Sequence, residues 1–252
     1  MAIADLKARL VGGERLVSTF LKTPSVDLVE ILSMSGLDFV ILDAEHAPWD
    51  RMRMDACLAI GRALDFPLLV RVPAGSPDEI LKAMDAGAVG VVVPHVDSAE
   101  KAAAIAKAAR FGPGGRGYAG STRWAGFATR PMAEVLAQSA AETIVIAQIE
   151  EPEGVADIEA IAGCDGIDGV FVGPADLSVA LGKSDVNSTE LGAAMTQVGT
   201  VARAHGVAHI TWVPDAAKAR EWDQHGFTTY VVASEQSWIL QGARAMMADM
   251  KG

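Results

Sequence analysis

Basic tracts, long apolar runs and paired cysteines are all missing from these 252 residues. Lys and Arg number 21 against 32 Asp and Glu, a net charge of −11, so nucleic acid and anionic membrane surfaces are excluded as expected partners. No apolar stretch approaches the roughly 18 residues of a membrane span, and Met1 to Arg9 reads as a polar helix rather than a signal sequence. Cys57 and Cys164 are the only two cysteines, far apart and without metal-type spacing. They fit small buried hydrophobes in a reducing compartment, and the expectation is a cytoplasmic protein. Lysine is sparse as well: positions 7, 22, 82, 101, 107, 183, 218 and 251, of which only Lys22 follows an apolar run closely. An enzyme that works through a Schiff base needs a lysine inside its site, which leaves Lys22 alone to support that reading. Glycine is absent from Thr211-Trp212-Val213-Pro214 and Val232-Ala233-Ser234-Glu235, which argues against a phosphate-handling barrel.

Apolar residues, 50% of the chain, are ample for one large core, and they fall into eight short runs rich in β-branched residues. These are Leu16–Leu21, Phe39–Asp43, Leu68–Val72, Gly90–Pro94, Thr143–Ile149, Gly169–Gly173, Ala208–Val213 and Thr228–Ala233. Helical periodicity fills the intervals: Ser25–Ser35, Asp50–Leu64, Pro77–Ala86, Ser98–Arg110, Pro152–Ala162, Thr189–His205, Asp215–His225 and Glu235–Met250. Asp50, Ser76 and Ser98 are N-cap signals, and Gly36, Gly87, Gly206 and Gly226 are C-terminal stops. Eight strand–helix repeats in about this length predict an α/β protein with a single (β/α)8 TIM barrel over residues 1–252. An open doubly wound sheet would need a Gly-rich loop after its first strand, and Leu21-Lys22-Thr23-Pro24-Ser25 is not one. Phe111 to Arg130 breaks the rhythm as a long, Gly-rich, cationic loop. Arg116, Ser121 and Arg123 there are candidates to meet an anionic substrate or a neighbouring subunit; the competing reading is a structural loop packed by Tyr118, Trp124 and Phe127.

Chemistry concentrates where these runs end. Alternation along a strand sends Gln148 and Glu150 to the same side, and Pro152 then opens a helix. A carboxylate at the lip of a buried strand is costly to desolvate alone. Asp176, after Gly173-Pro174-Ala175, stands at the same kind of edge, and two acids on neighbouring strand ends suggest a divalent cation. His46, just beyond the second run and near Asp43 and Glu45, suits a base titrating near neutrality. Arg71 ends an otherwise apolar run and must find an anion, either a structural acid or a substrate group. Asp85 lies at the end of a helix, so in its own barrel it reads as a structural acid on the opposite face. His95 is a candidate pocket wall; His205 and His225 precede glycines and read as structural; His209 stays open.

The segments Asp43-Ala44-Glu45-His46-Ala47-Pro48, Val70-Arg71-Val72-Pro73, Gln148-Ile149-Glu150 and Gly173-Pro174-Ala175-Asp176-Leu177-Ser178 together resemble the HpcH/HpaI aldolase family, in order and spacing over essentially the whole chain. The resemblance implies a pyruvate/phosphoenolpyruvate-type barrel and a metal-dependent (class II) aldolase of 4-hydroxy-2-oxo acids. It implies Glu150 and Asp176 as ligands of a Mg²⁺ or Mn²⁺ ion, with Co²⁺ and Zn²⁺ as alternatives. Asp43 would bond metal-bound water, and Arg71 would stabilise the enolate oxygen. His46 would move the proton, assisted by Asp85 of an adjacent subunit. Gln148, Gly173, Pro174, Ala175, Arg71 and Trp212 would line the substrate. The partners implied are a small 2-oxo acid and an aldehyde, in a homohexamer built as a trimer of dimers, with the C-terminal helix exchanged between subunits. Phe20 and Lys22 depart from the Trp and small polar residues common in relatives, which puts the acceptor in doubt. A lyase acting on a CoA thioester, like the citrate-lyase β chain, and a non-catalytic barrel are the alternatives. The first lacks the basic residues that CoA phosphates need, and the second predicts loss of one of His46, Arg71, Glu150 and Asp176, all of which are present.

Overall fold

Each of the eight apolar runs becomes a strand with bounds within one residue of the expected ones. They are β1 (Leu16–Leu21), β2 (Val40–Asp43), β3 (Leu68–Arg71), β4 (Gly90–Val93), β5 (Ile144–Ile149), β6 (Gly169–Val172), β7 (Ala208–Val213) and β8 (Thr229–Ser234). All neighbours pair in parallel and β1 pairs with β8, so the sheet closes in sequence order. The computed structural model describes residues 2–251. The helices are α1 (Ala2–Val11), α2 (Val26–Ser33), α3 (Arg51–Ala63), α4 (Pro77–Ala86), α5 (Ala99–Ala109), α6 (Met132–Glu142), α7 (Pro152–Ala156), α8 (Ile158–Ala162), α9 (Pro174–Ala180), α10 (Thr189–His205), α11 (Ala216–Trp222) and α12 (Glu235–Lys251). This is a (β/α)8 barrel, and among the described residues no helix is long and apolar enough to cross a membrane.

Strand alternation divides the core in two. Inward residues such as Phe20, Ile41, Leu69, Val92, Ile146, Phe171 and Ile210 fill the barrel, and α1 closes its lower end with Ile3, Leu6 and Leu10. Outward residues such as Leu42, Val70, Val91, Val145 and Val172 pack against the helix ring. Lys7 of α1 pairs with Asp168 at 3.1 Å, and Asp168 also takes Arg110 at 2.7 Å, which ties the plug to the rim of β5 and β6. The inward face then turns polar towards the strand C-termini. Ile41 is followed two residues on by Asp43, Leu69 by Arg71, Ile146 by Gln148 and Glu150, and Phe20 by Lys22. Period two thus delivers the polar groups to one mouth.

Asp50, Ser76 and Ser98 cap their helices by accepting from backbone N–H groups. Gly87 (φ 118°) and Gly206 (φ 68°) end α4 and α10 in the left-handed conformation that glycine adopts without penalty. Two expectations need correction. The single helix over 152–162 is two short ones, broken at Asp157 (φ −94°, ψ 11°), whose carboxylate accepts from Ala99 N at 2.6 Å and so caps α5 instead. The segment after the Gly-rich loop carries a further helix, α6. In that loop Arg116 does not face the mouth: it is buried, with its guanidinium 4.0 Å over the Phe111 ring and 5.1 Å from that of Trp124. Trp124 packs as expected, Arg123 pairs with Asp55 at 2.9 Å, and Phe127 is exposed.

Candidate active site

Glu150, the residue after β5, is buried at the barrel mouth. Its Oε2 accepts from Gln148 Nε2 at 2.5 Å, the bond that shared strand facing predicts. Its Oε1 accepts from His95 N at 2.8 Å and lies 3.0 Å from His95 Nδ1. Gly173, at the end of β6, is what lets this carboxylate sit there: a Cβ on it would stand 3.2 Å from Glu150 Oε2. Asp176, in the first turn of α9, lines the adjoining cavity together with Gly173, Pro174 and Ala175.

On the β2–β3 side Asp43, wholly buried, accepts through Oδ1 from Arg71 Nε at 2.9 Å, with Arg71 Nη2 at 2.8 Å. The same oxygen accepts from His46 N at 3.2 Å, which shapes the turn that lifts the imidazole to the mouth. Arg71 lies over the Phe20 ring at 4.3 Å. Its Nε is also 3.3 Å from Glu45 Oε2, which is 3.6 Å from His46 Nε2. Burial pushes the Glu45 carboxyl above its ordinary range, and the charge of Glu150 adds to that, while Arg71 opposes it.

His95 was expected only as pocket wall and proves central. Its backbone takes a positive φ of 57°, a rare conformation for a side-chain-bearing residue, and this turns both N–H and ring onto the acids. Nδ1 lies 2.5 Å from Glu151 and Nε2 3.8 Å from Glu45. The bond to Glu151 raises its pKa, with further help from the charges of Glu150, Glu151 and Glu45 against desolvation. One ligand atom each from Glu45, His95 and Glu150 lies within 4.8 Å of the others, a set able to hold a metal ion. Three carboxylates, Glu45, Glu150 and Glu151, gather around the His95 ring, and the Gln148 and Glu45 oxygens left without hydrogen-bond partners point to a cation-binding arrangement.

A cavity of about 300 Å³ opens beside these groups. Lys22, Arg71, Gln148, Asp176 and Ser234 line it, together with His46 and Trp212. Phe20 and Phe171, 6.1 Å apart, form its floor, and Trp212 is fixed by donating Nε1 to Ala233 O at 3.1 Å. Asp85 is not here. It ends α4, next to the N-terminal end of β4, and lies on the opposite face of its own barrel. There burial raises its pKa, and the nearest guanidinium, Arg116, stands 3.9 Å away.

A closed parallel barrel with carboxylates, an arginine and histidines converging at the strand C-termini defines an enzyme of the (β/α)8 class. The family profile "HpcH/HpaI aldolase/citrate lyase" matches residues 16–240, and the chain belongs to that family. The 5-keto-4-deoxy-D-glucarate aldolase of Klebsiella pneumoniae is 36% identical over 222 residues, 87% of this chain and 86% of that one. The hydroxypyruvate/pyruvate aldolase of Paraburkholderia phytofirmans is 30% identical over 98% of this chain and 97% of its own length. A family member of known structure from Burkholderia cenocepacia superposes with a TM-score of 0.93 at 34% identity, covering 99% of this chain and all of that one. The chain is accordingly an aldolase-family lyase acting on small molecules.

Proposed function

We propose that this protein is a metal-dependent aldolase that cleaves or forms the C3–C4 bond of 4-hydroxy-2-oxo acids, with pyruvate or hydroxypyruvate as one product and an aldehyde as the other. The observation that carries this reading is the convergence of Glu150, Glu45 and His95 beside a cavity that Arg71 and His46 also face. Glu150 and Asp176 would hold a divalent ion, with Glu45, His95 and Asp43 around it; the mainly oxygen donor set suits Mg²⁺ or Mn²⁺, and the one imidazole leaves Co²⁺ and Zn²⁺ as alternatives. When bound, the ion supplies Lewis-acid polarisation of the 2-oxo group. Arg71, held on Asp43 and the Phe20 ring, directs its remaining charge at the oxygen where negative charge develops. His46 takes the C4 hydroxyl proton as the bond breaks and returns it in addition. Gln148 and the Gly173–Ala175 turn receive the carboxylate. Aldolase names among the relatives support the reading. Lys22 is employed differently from a Schiff-base lysine: its ammonium pairs with the buried Asp43 at 3.4 Å.

The oligomer is part of the proposal. In α12 only Glu235 is buried, while Ile239, Leu240, Met246, Met247 and Met250 stand exposed. A second copy would cover that face, and an adjacent subunit is what Asp85 needs to serve a neighbour's His46. The test of the activity is pyruvate methyl-proton exchange in D₂O, followed by NMR on chelator-stripped protein. Exchange is expected only after Mg²⁺ or Mn²⁺ is added. Exchange without metal would move the chemistry to Lys22, and none in either case would remove pyruvate as the donor.

A further inference from the structure

The backbone of His95 is clamped on both sides. Its N–H donates to Glu150 Oε1 at 2.8 Å, its carbonyl accepts from Lys101 Nζ at 3.2 Å, and between them φ is 57°. The side chain that this turn presents is 62% exposed, yet acids on two sides fix its orientation. Nδ1 faces Glu151 Oε1 at 2.5 Å and Glu150 Oε1 at 3.0 Å. A ring nitrogen set between two carboxylate oxygens carries a hydrogen, because a lone pair there would meet only other lone pairs. In the neutral imidazole the free lone pair is then on Nε2.

Nε2 points to a third acid without bonding to it. Glu45 Oε1 is 3.8 Å away, beyond hydrogen-bond length. Two donor atoms each about 2.1 Å from one ion stand roughly 3 to 4 Å apart, so a shared cation would span this gap. Glu45 Oε2 is buried and has no hydrogen-bond partner, and one ligand atom from each of Glu45, His95 and Glu150 lies within 4.8 Å of the others. Glu151 stands outside that set. It supplies what a metal-binding histidine needs, a carboxylate on the other ring nitrogen that fixes the tautomer and strengthens the donor. A plain surface ion pair would account for the Nδ1 contacts. It would not account for a clamped backbone or for an Nε2 aimed at a carboxylate it does not bond.

We propose that His95 coordinates the metal ion directly through Nε2, that Glu151 orients it for that task, and that this nitrogen turns the choice of ion from Mg²⁺ towards Co²⁺ and Zn²⁺. This rests on the metal-dependent reading above and adds one nitrogen to the carboxylate ligands named there. Imidazole is a good donor to Co²⁺ and Zn²⁺, whereas Mg²⁺ holds to oxygen and to water.

Pulsed EPR of the Mn²⁺-loaded protein reads the ligand itself, without turnover. Coupling from a directly bound imidazole nitrogen is expected in wild type and is lost in His95→Asn, a replacement that tolerates positive φ. Titration calorimetry on stripped protein supplies the affinities. His95→Asn is expected to weaken Co²⁺ binding by roughly 100-fold and Glu151→Gln by roughly 10-fold, while Mg²⁺ binding changes by less than about 3-fold in either. Absence of nitrogen coupling in Mn²⁺-saturated wild type overturns the proposal, as does coupling that persists in His95→Asn. Equal losses for Co²⁺ and Mg²⁺ overturn it too, since that is what a merely structural disturbance gives. Unchanged Co²⁺ affinity in Glu151→Gln overturns the part assigned to Glu151. Metal-dependent pyruvate exchange is scored separately in wild type. Nitrogen coupling without exchange removes the aldolase reading and keeps this one, and exchange without coupling does the reverse.

Discussion

At the scale of single residues, the site depends on how closely two strand ends approach. Gly173 has an ordinary φ of −83°, so an alanine there meets no backbone strain. Its Cβ would nevertheless press on Glu150 Oε2 and lie 3.6 Å from Gln148 Nε2. Gly173→Ala is therefore expected to leave folding intact and weaken Mn²⁺ binding by roughly 10-fold or more, the usual effect of disturbing groups that orient a ligand. Titration calorimetry on the stripped protein measures this, and unchanged affinity would remove Glu150 from the metal site. Much of this geometry was legible. Alternation alone placed Gln148 beside Glu150, and the strand-end position of Arg71 and His46 followed from the apolar runs before them. His95 was not legible, because no spacing rule anticipates a side-chain-bearing residue turning through φ 57°. Only its place directly after a strand and Pro94 hinted at it.

At the scale of elements, strands read well and helices less so. Buried strands are short continuous apolar runs between polar segments, a pattern that survives any context. Helix α6 (MAEVLAQSAAE) buries only Val135 and Ser139, so its small residues leave little amphipathic signal, and its neighbour, the Gly-rich loop, dominates the stretch. The break between α7 and α8 depends on Asp157 bonding to a helix distant in sequence, which local periodicity does not contain. Helix α12 presents the opposite problem: Trp238 packs on the core, but the apolar residues beyond it stand exposed. Ile239, Leu240, Met246 and Met247 are each 48% or more exposed, a contiguous patch of the kind that marks an interface. Replacing Leu240 and Met247 by Glu is expected to shift sedimentation from an oligomer towards the 26.3 kDa chain. Wild-type protein sedimenting as that single chain at micromolar concentration would refute the covered face, and with it a shared role for Asp85.

At the scale of the whole molecule, stability carries an acid-sensitive term away from the mouth. His209 on β7 is 2% exposed, its ring stacked on Phe227 at 3.9 Å, with neither ring nitrogen hydrogen-bonded. Burial lowers its pKa from 6.5 to about 3, and the nearby His225 and Arg203 push the same way. The unfolded chain therefore binds this proton more readily than the folded one. The contribution is fully present above pH 6.5 and is lost as pH falls towards 3, at no more than about 1.4 kcal/mol per pH unit for one proton. His225, lowered by burial, adds in the same direction, whereas His95, raised by Glu151, contributes stability below its unfolded value that fades as pH rises. Because the whole chain titrates at once, the His209 share has to be isolated by difference. Urea unfolding at pH 7 and pH 5 should show wild type losing more stability than His209→Phe, which keeps a ring against Phe227 and removes the titration. His209→Gln serves where the larger ring crowds Gly199, whose own Cβ would stand 2.6 Å from Nδ1. Equal losses in wild type and both variants would mean that His209 is not what acid attacks, and the sensitivity would then belong to the carboxylates at the barrel mouth.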